Sequence, residues 1–285
     1  MLTIVQRSGG MRGKSPQVVR GMASRLYWAW DGLCFAVPFI EQVRDADRDI
    51  IFNVAPTGIV GTLTWVRDDR GNAALYLDSS SGMDYPDTPG HNQPTTAITT
   101  YVRLQRVGTG QNSGGVFGKK ISIDNPWNSW LIQHSDNGGG SLAAQITVNG
   151  SFLFWESGYV LPTTKWVSVF LRWRSGGVPV MDILDERGQL LSSTNPGSTA
   201  TGTITYVAAQ PIQININTTG QNLFDARYSQ CMLWSRCLTD TELQALVEDP
   251  YGWYSPRRTT VAVASPYPFG GGEMHGTTGQ AGGLH

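Results

Sequence analysis

From Leu26 to about Tyr254 the chain keeps returning to one pattern, apolar and polar residues alternating over roughly five to nine positions between turn residues. Period-2 alternation is the mark of strands with one face buried, and it limits the chain to a sheet-rich fold. The clearest run is Ile98–Leu104, with Ile98, Thr100, Val102 and Leu104 on one face and Thr99, Tyr101 and Arg103 on the other. In a second run, Val167, Val169, Leu171 and Trp173 oppose Ser168, Phe170 and Arg172. Asn149-Gly150 between alternating stretches predicts a hairpin, because a type I′ turn needs positive φ at both central residues. Asp182–Leu190 reads as another hairpin around a polar turn. Glycine and proline are spread through the region, so the expectation is one sandwich of roughly a dozen strands over 24–254.

One helix interrupts the pattern. Thr239-Asp240-Thr241-Glu242 is a capping box, in which hydroxyl and carboxylate satisfy each other's backbone donors. Leu243, Leu246 and Val247 then form a one-sided stripe, and Asp249-Pro250 ends it. A helix this short is stable only when docked on the sandwich. Residues 1–23 and 255–285 lack any amphipathic period and read as an N-terminal arm and a Gly/Pro-rich tail.

Composition excludes several classes. Charged residues make up only 15% and the formal net charge is −1, so no long-range field gathers nucleic acid or anionic lipid. With 40% apolar residues the chain fills a core. No apolar run approaches a membrane helix, and Met1–Lys14 lacks the apolar segment of a secretory signal. Cys34, Cys231 and Cys237 are too few for a disulfide framework and lack metal-ligand spacing; buried reduced thiols in strands are expected. Asp45-Ala46-Asp47-Arg48-Asp49 imitates the start of a calcium loop, yet Ile50 stands where the loop needs glycine, so a solvated loop is expected. No cofactor or metal is expected.

Several segments together resemble laminin-G-like domains of the concanavalin A-like superfamily. Tyr228–Leu246, with Trp234-Ser235-Arg236-Cys237-Leu238 leading into the capped helix, resembles the family's closing strand and helix. Gly32–Phe39 is similar to its opening strand, Leu63–Asp78 to the strand introducing the core, and Lys165–Val169 to a W-H-H-V strand with Val167 and Ser168 in place of both histidines. The resemblance implies an all-β fold: a single antiparallel jelly-roll sandwich with one short C-terminal capped helix and extended terminal arms. The ending Asp249-Pro250-Tyr251 through Pro256-Arg257-Arg258, and the basic arm ahead of Gly32, are similar to laminin-G-like proteins of tailed bacteriophages. That implies a virion accessory protein, made in the host cytoplasm without a signal peptide. Its partners would be other virion proteins, copies of itself and host surface polysaccharide.

Concanavalin A-like glucanases resemble one another in an E-x-D-x(x)-E strand that sets acid and nucleophile about 5–5.5 Å apart. The six glutamates here include no such pair, and Asp182–Glu186 has the wrong parity, so no enzyme is expected. Relatives sometimes hold calcium at the sandwich rim, but no motif here identifies ligands for it. For binding, Tyr101 and Arg103 with Phe170, Arg172 and Arg174 would form one exposed face if their strands were neighbours, suited to stacking sugar rings and pairing acidic groups. The alternative is a second packed layer. Trp127, Asn128 and Trp130 form a candidate sugar platform in a polar turn, with tryptophans closing the sandwich end as its alternative. Arg7, Arg12, Lys14 and Arg20, and Arg257 with Arg258, are the candidate attachment residues of the arms.

Overall fold

The computed structural model describes residues 26–39, 47–110, 113–120, 128–135, 141–215 and 223–254. Fifteen strands lie among them, somewhat more than the alternation alone suggests. The first are β1 (Leu33–Val37), β2 (Gly58–Val60), β3 (Thr64–Arg67), β4 (Ala73–Leu77), β5 (Gly82–Tyr85) and β6 (Ala97–Arg106). Then come β7 (Gly115–Lys120), β8 (Asn128–Ser135), β9 (Ser141–Val148), β10 (Ser151–Val160) and β11 (Val167–Arg174). The last are β12 (Val180–Asp185), β13 (Leu190–Thr194), β14 (Ile212–Ile214) and β15 (Ala226–Trp234), followed by helix α1 (Asp240–Glu248).

The strands make two antiparallel sheets packed as a jelly-roll sandwich. One runs β13-β12-β11-β6-β15-β4-β3, with β1 also paired to β15; the other runs β10-β9-β8-β7-β14-β5-β2. The predicted faces hold. Ile98, Val102, Leu104, Val167, Val169, Leu171 and Trp173 enter the core between the sheets, where Trp130, Ile132 and Ile146 meet them from the other side. The hairpin joins β9 to β10 through Asn149 (φ 48) and Gly150 (φ 75), both in the left-handed region the turn requires. Cys34 and Cys231 lie buried in strands as free thiols, whereas Cys237 follows β15 and is only partly buried. Burial pushes the Cys34 thiol up to about 11, keeping it protonated.

A second apolar layer lies outside the eight-stranded sheet. Tyr101, Phe170, Met232 and Trp234 point away from the central core, and Trp30, Leu243, Leu246, Val247 and Trp253 pack over them. α1 is capped as its sequence predicts: Thr239 N donates to Glu242 Oε2 at 2.8 Å and Glu242 N donates to Thr239 Oγ1 at 3.3 Å. The chain's two described ends meet in this layer. The Trp30 and Trp253 rings lie 5.4 Å apart, and Trp30 Nε1 donates to the Trp253 carbonyl at 2.8 Å.

Candidate functional site

The register places Phe170 opposite Tyr101 and Ser168 opposite Arg103, so β6 and β11 are neighbours. The exposed aromatic and guanidinium face expected from them is nevertheless absent. Tyr101 and Phe170 are fully buried and stack at 4.7 Å and 13° under the second layer. Arg103, 2% exposed, donates through Nη1 to Asp68 Oδ2 at 3.0 Å and Ser229 Oγ at 3.1 Å, and through Nη2 to Asp69. Its guanidinium lies 4.9 Å from the Trp166 ring centroid. Arg172 ties Asp182 (2.6 Å) to Asp240 (2.7 Å) and to the Leu238 carbonyl (3.0 Å), fastening the start of α1. These arginines use their donors to hold the layer in place, and of the five residues only Arg174 is exposed.

Trp127 lies outside the described residues. Asn128 and Trp130 belong to β8 rather than to a turn, and both are buried. Trp130 meets Phe117 edge-on at 4.9 Å in the central core, and the Asn128 carbonyl accepts from Thr147 Oγ1 at 2.7 Å. The acidic run is also corrected where it is described. Asp49 is fully buried, its Oδ1 accepting from the backbone N–H groups of Ala36 and Ile51 at 3.0 Å and its Oδ2 lying 3.2 Å from His91 Nε2. It pins a loop to β1. Among the described residues no group of three His, Cys, Asp or Glu side chains is placed to hold a metal ion. The arm residues Arg7, Arg12, Lys14, Arg20, Arg257 and Arg258 lie outside the described residues.

A different face carries the polar cluster. The central core takes Trp130 and Ile132 from β8, Leu142, Ala144 and Ile146 from β9, and Trp155 from β10. Alternate residues therefore face outward. Registers align Leu131 with Gln145 and Gln145 with Phe154, and align Thr147 with Phe152. Ser129 belongs to the same outward set on β8. Gln145 is 2% exposed and its Nε2 has no hydrogen-bond partner among the described residues; Ser129 Oγ is likewise buried without one among them. An unpartnered buried polar group costs about 1–3 kcal/mol, so its persistence calls for an explanation. Beside them the Phe152 and Phe154 rings lie nearly parallel at 6.3 Å and 14°, and Phe154 is 38% exposed. Glu156, next on this side of β10, accepts from Ser135 Oγ at 2.6 Å.

Farther across the same sheet, Gln213 Nε2 donates to Asp84 Oδ1 at 2.9 Å. Asp84 also lines an open groove of about 510 Å3 with Thr57, Gly58, Pro86, Asp87, Ala209 and Pro211. Buried Lys119 donates to Asp87 Oδ1 at 2.8 Å and to the Gln210 carbonyl at 2.7 Å beside it. Sequence reasoning missed the outward cluster. Its only local signal is Gln145 and Thr147 alternating with Ala144 and Ile146, and the strands that complete it meet through pairing alone.

No family model and no curated protein matches the sequence. Solved structures do resemble it in fold. The binding domain of Paraclostridial mosquitocidal protein 1 superposes with a TM-score of 0.55 at 16% identity over 77% of this chain. Domain 4 of AbnA, a GH43 extracellular arabinanase from Geobacillus stearothermophilus solved with arabinotriose, gives 0.53 at 16% identity over 76% of this chain and 98% of that one. The binding domain of botulinum neurotoxin DC, in complex with SialylT, gives 0.51 at 13% identity over 76% of this chain. The chain spans about half the length of the two toxin binding domains, 52% and 51%. The shared feature is the jelly-roll β-sandwich.

Proposed function

We propose that this chain is a non-catalytic glycan-binding sandwich whose site is the outward face of the seven-stranded sheet. The observation that carries the reading is the half-open Phe152/Phe154 pair, whose rings lie nearly parallel at 6.3 Å on the outward side of β10. A sugar ring presents apolar C–H faces that stack on an exposed aromatic side chain, and Phe154 offers such a ring. The fold-mates support it, being binding domains or a domain solved with arabinotriose. A glycan array probed with the full chain tests it: selective retention of at least one glycan is expected, and silence across the array would overturn the reading.

In this account the chain sits on a virion as an accessory protein. The sandwich of 24–254 projects outward, and the arms 1–23 and 255–285 engage other virion proteins or copies of the chain. The contact between Trp30 and Trp253 supports this reading, because it brings together the last described residues before one arm and after the other, on the outer side of the eight-stranded sheet. Arg7, Arg12, Lys14 and Arg20 would then work together with Arg257 and Arg258. Deleting residues 1–22 or 256–285 should each lower occupancy in purified particles; unchanged occupancy in both deletions would rule the anchoring role out.

A further inference from the structure

The Asn149-Gly150 turn between β9 and β10 carries a reactive pairing that its hairpin role does not use. Both residues are exposed. Gly150 has no side chain to shield its backbone nitrogen, and a Cβ placed there would meet nothing within 4 Å. In a free peptide such a nitrogen readily reaches the carbonyl carbon of the asparagine side chain. Here the 201–205 segment engages both reacting groups. Asn149 Nδ2 donates to the Thr201 carbonyl at 3.2 Å, while its Oδ1 accepts from Thr203 N at 3.0 Å and from Thr203 Oγ1 at 3.3 Å. Gly150 N donates to Thr205 Oγ1 at 2.8 Å. Backbone bonds seat the segment against the end of β9: Asn149 N donates to the Thr203 carbonyl and Thr205 N to the Thr147 carbonyl, both at 2.9 Å. Gly202 (φ 130) lets the segment lie this close, since a Cβ there would fall 2.0 Å from Asn149 Nδ2.

We propose that Asn149 is a deamidation site held latent by the 201–205 segment, and that the reaction proceeds when this segment lifts. Gly150 N loses its proton to hydroxide and bonds to Asn149 Cγ. The Cγ–Nδ2 bond then breaks, and Nδ2 leaves as ammonia after taking a proton from water. The succinimide that remains adds water at either carbonyl, giving an aspartyl or an isoaspartyl residue with no oxidant or reductant involved. While the segment is seated, the Gly150 proton is shared with Thr205 and the Asn149 carboxamide is held on Thr201 and Thr203. Cyclisation requires those bonds to open first, and each hydrogen bond that must be lost slows it several-fold. The product matters to the fold. An isoaspartyl link adds a methylene to the turn backbone, and strand register fixes which face each β10 residue presents. An aspartyl product sets a carboxylate oxygen where Nδ2 donated, against the Thr201 carbonyl.

The test is peptide mapping by mass spectrometry of the full chain incubated at mildly alkaline pH, below its melting temperature. Mapping separates Asn149 from Asn137, the asparagine of the sequence's other Asn-Gly pair. A synthetic peptide of residues 146–153 supplies the rate without the segment. Asn149 in the folded chain is expected to deamidate at least about tenfold more slowly than in the peptide, and to reach the peptide's rate once urea unfolds the chain. Gly202→Ala, whose methyl group displaces the Asn149 side chain, should raise the folded-state rate about tenfold. Thr205→Val, which removes the acceptor of Gly150 N at a partly exposed residue, should raise it about threefold. The second variant keeps the test available should Gly202→Ala fail to fold, and melting curves identify which incubated proteins are folded. Deamidation of the folded parent at the peptide's rate would overturn the inference, as would an unchanged rate in a folded Thr205→Val protein.

Discussion

Replacing Arg103 with alanine is expected to destabilise the protein by about 3–5 kcal/mol, read as a fall in the urea midpoint with the slope unchanged. Arg103 is the hub of a buried charge cluster. Asp68 is fully buried and accepts Arg103 Nη1 at 3.0 Å and Tyr251 Oη at 3.0 Å on Oδ2. Its Oδ1 accepts the backbone N–H groups of Arg70 at 2.9 Å and Asn72 at 2.8 Å. Removing the guanidinium leaves that carboxylate without its counter-ion, which is why loss of one partner is far more damaging than loss of both. Lysine should rescue little, because a single ammonium does not span Asp68, Asp69 and Ser229 as the planar fork does. A loss below about 1 kcal/mol, the range of exposed ion pairs, would show that the cluster does not act as described.

Tyr101→Ala should be comparably severe, about 3–5 kcal/mol, since it empties a fully buried aromatic site. The ring stacks on Phe170 and lies in the layer that joins Trp234, Leu243, Leu246 and Trp253. The two roles once open to Tyr101 predict opposite outcomes. A sugar platform would lose binding and keep its melting curve; a residue of the second layer loses stability. A Tyr101→Ala protein that melts like the parent would mean that the covering layer does not close over β6 and β11.

The contrast shows what sequence alone makes legible. Strand parity was readable at Ile98–Leu104 and Val167–Trp173 because each residue's face is set by its immediate neighbours. The Asn149-Gly150 turn and the Thr239/Glu242 cap were readable because their chemistry is local. Period-2 alternation, however, separates the two faces of a strand without telling solvent from a second layer. The clue was available in β15, where Met232 and Trp234 are as apolar as Cys231 and Leu233 on the opposite face, a pattern suited to burial on both sides. Arg103 and Arg172 misled because a guanidinium reads as exposed until its carboxylates are located, and Asp68 and Asp240 lie far from them in sequence. Asp49 misled in the same way, its His91 partner being 42 residues distant. The Gln145 cluster spans three strands and exists only through their pairing. No single segment displays it.

The most direct measurement is the glycan array run side by side on the full chain and on Phe154→Ala, with melting curves for both. The parent is expected to retain at least one glycan, and Phe154→Ala to melt as the parent does but lose that retention at least about tenfold. Retention unchanged in a folded Phe154→Ala protein would contradict it, moving the site off the outward face of the seven-stranded sheet.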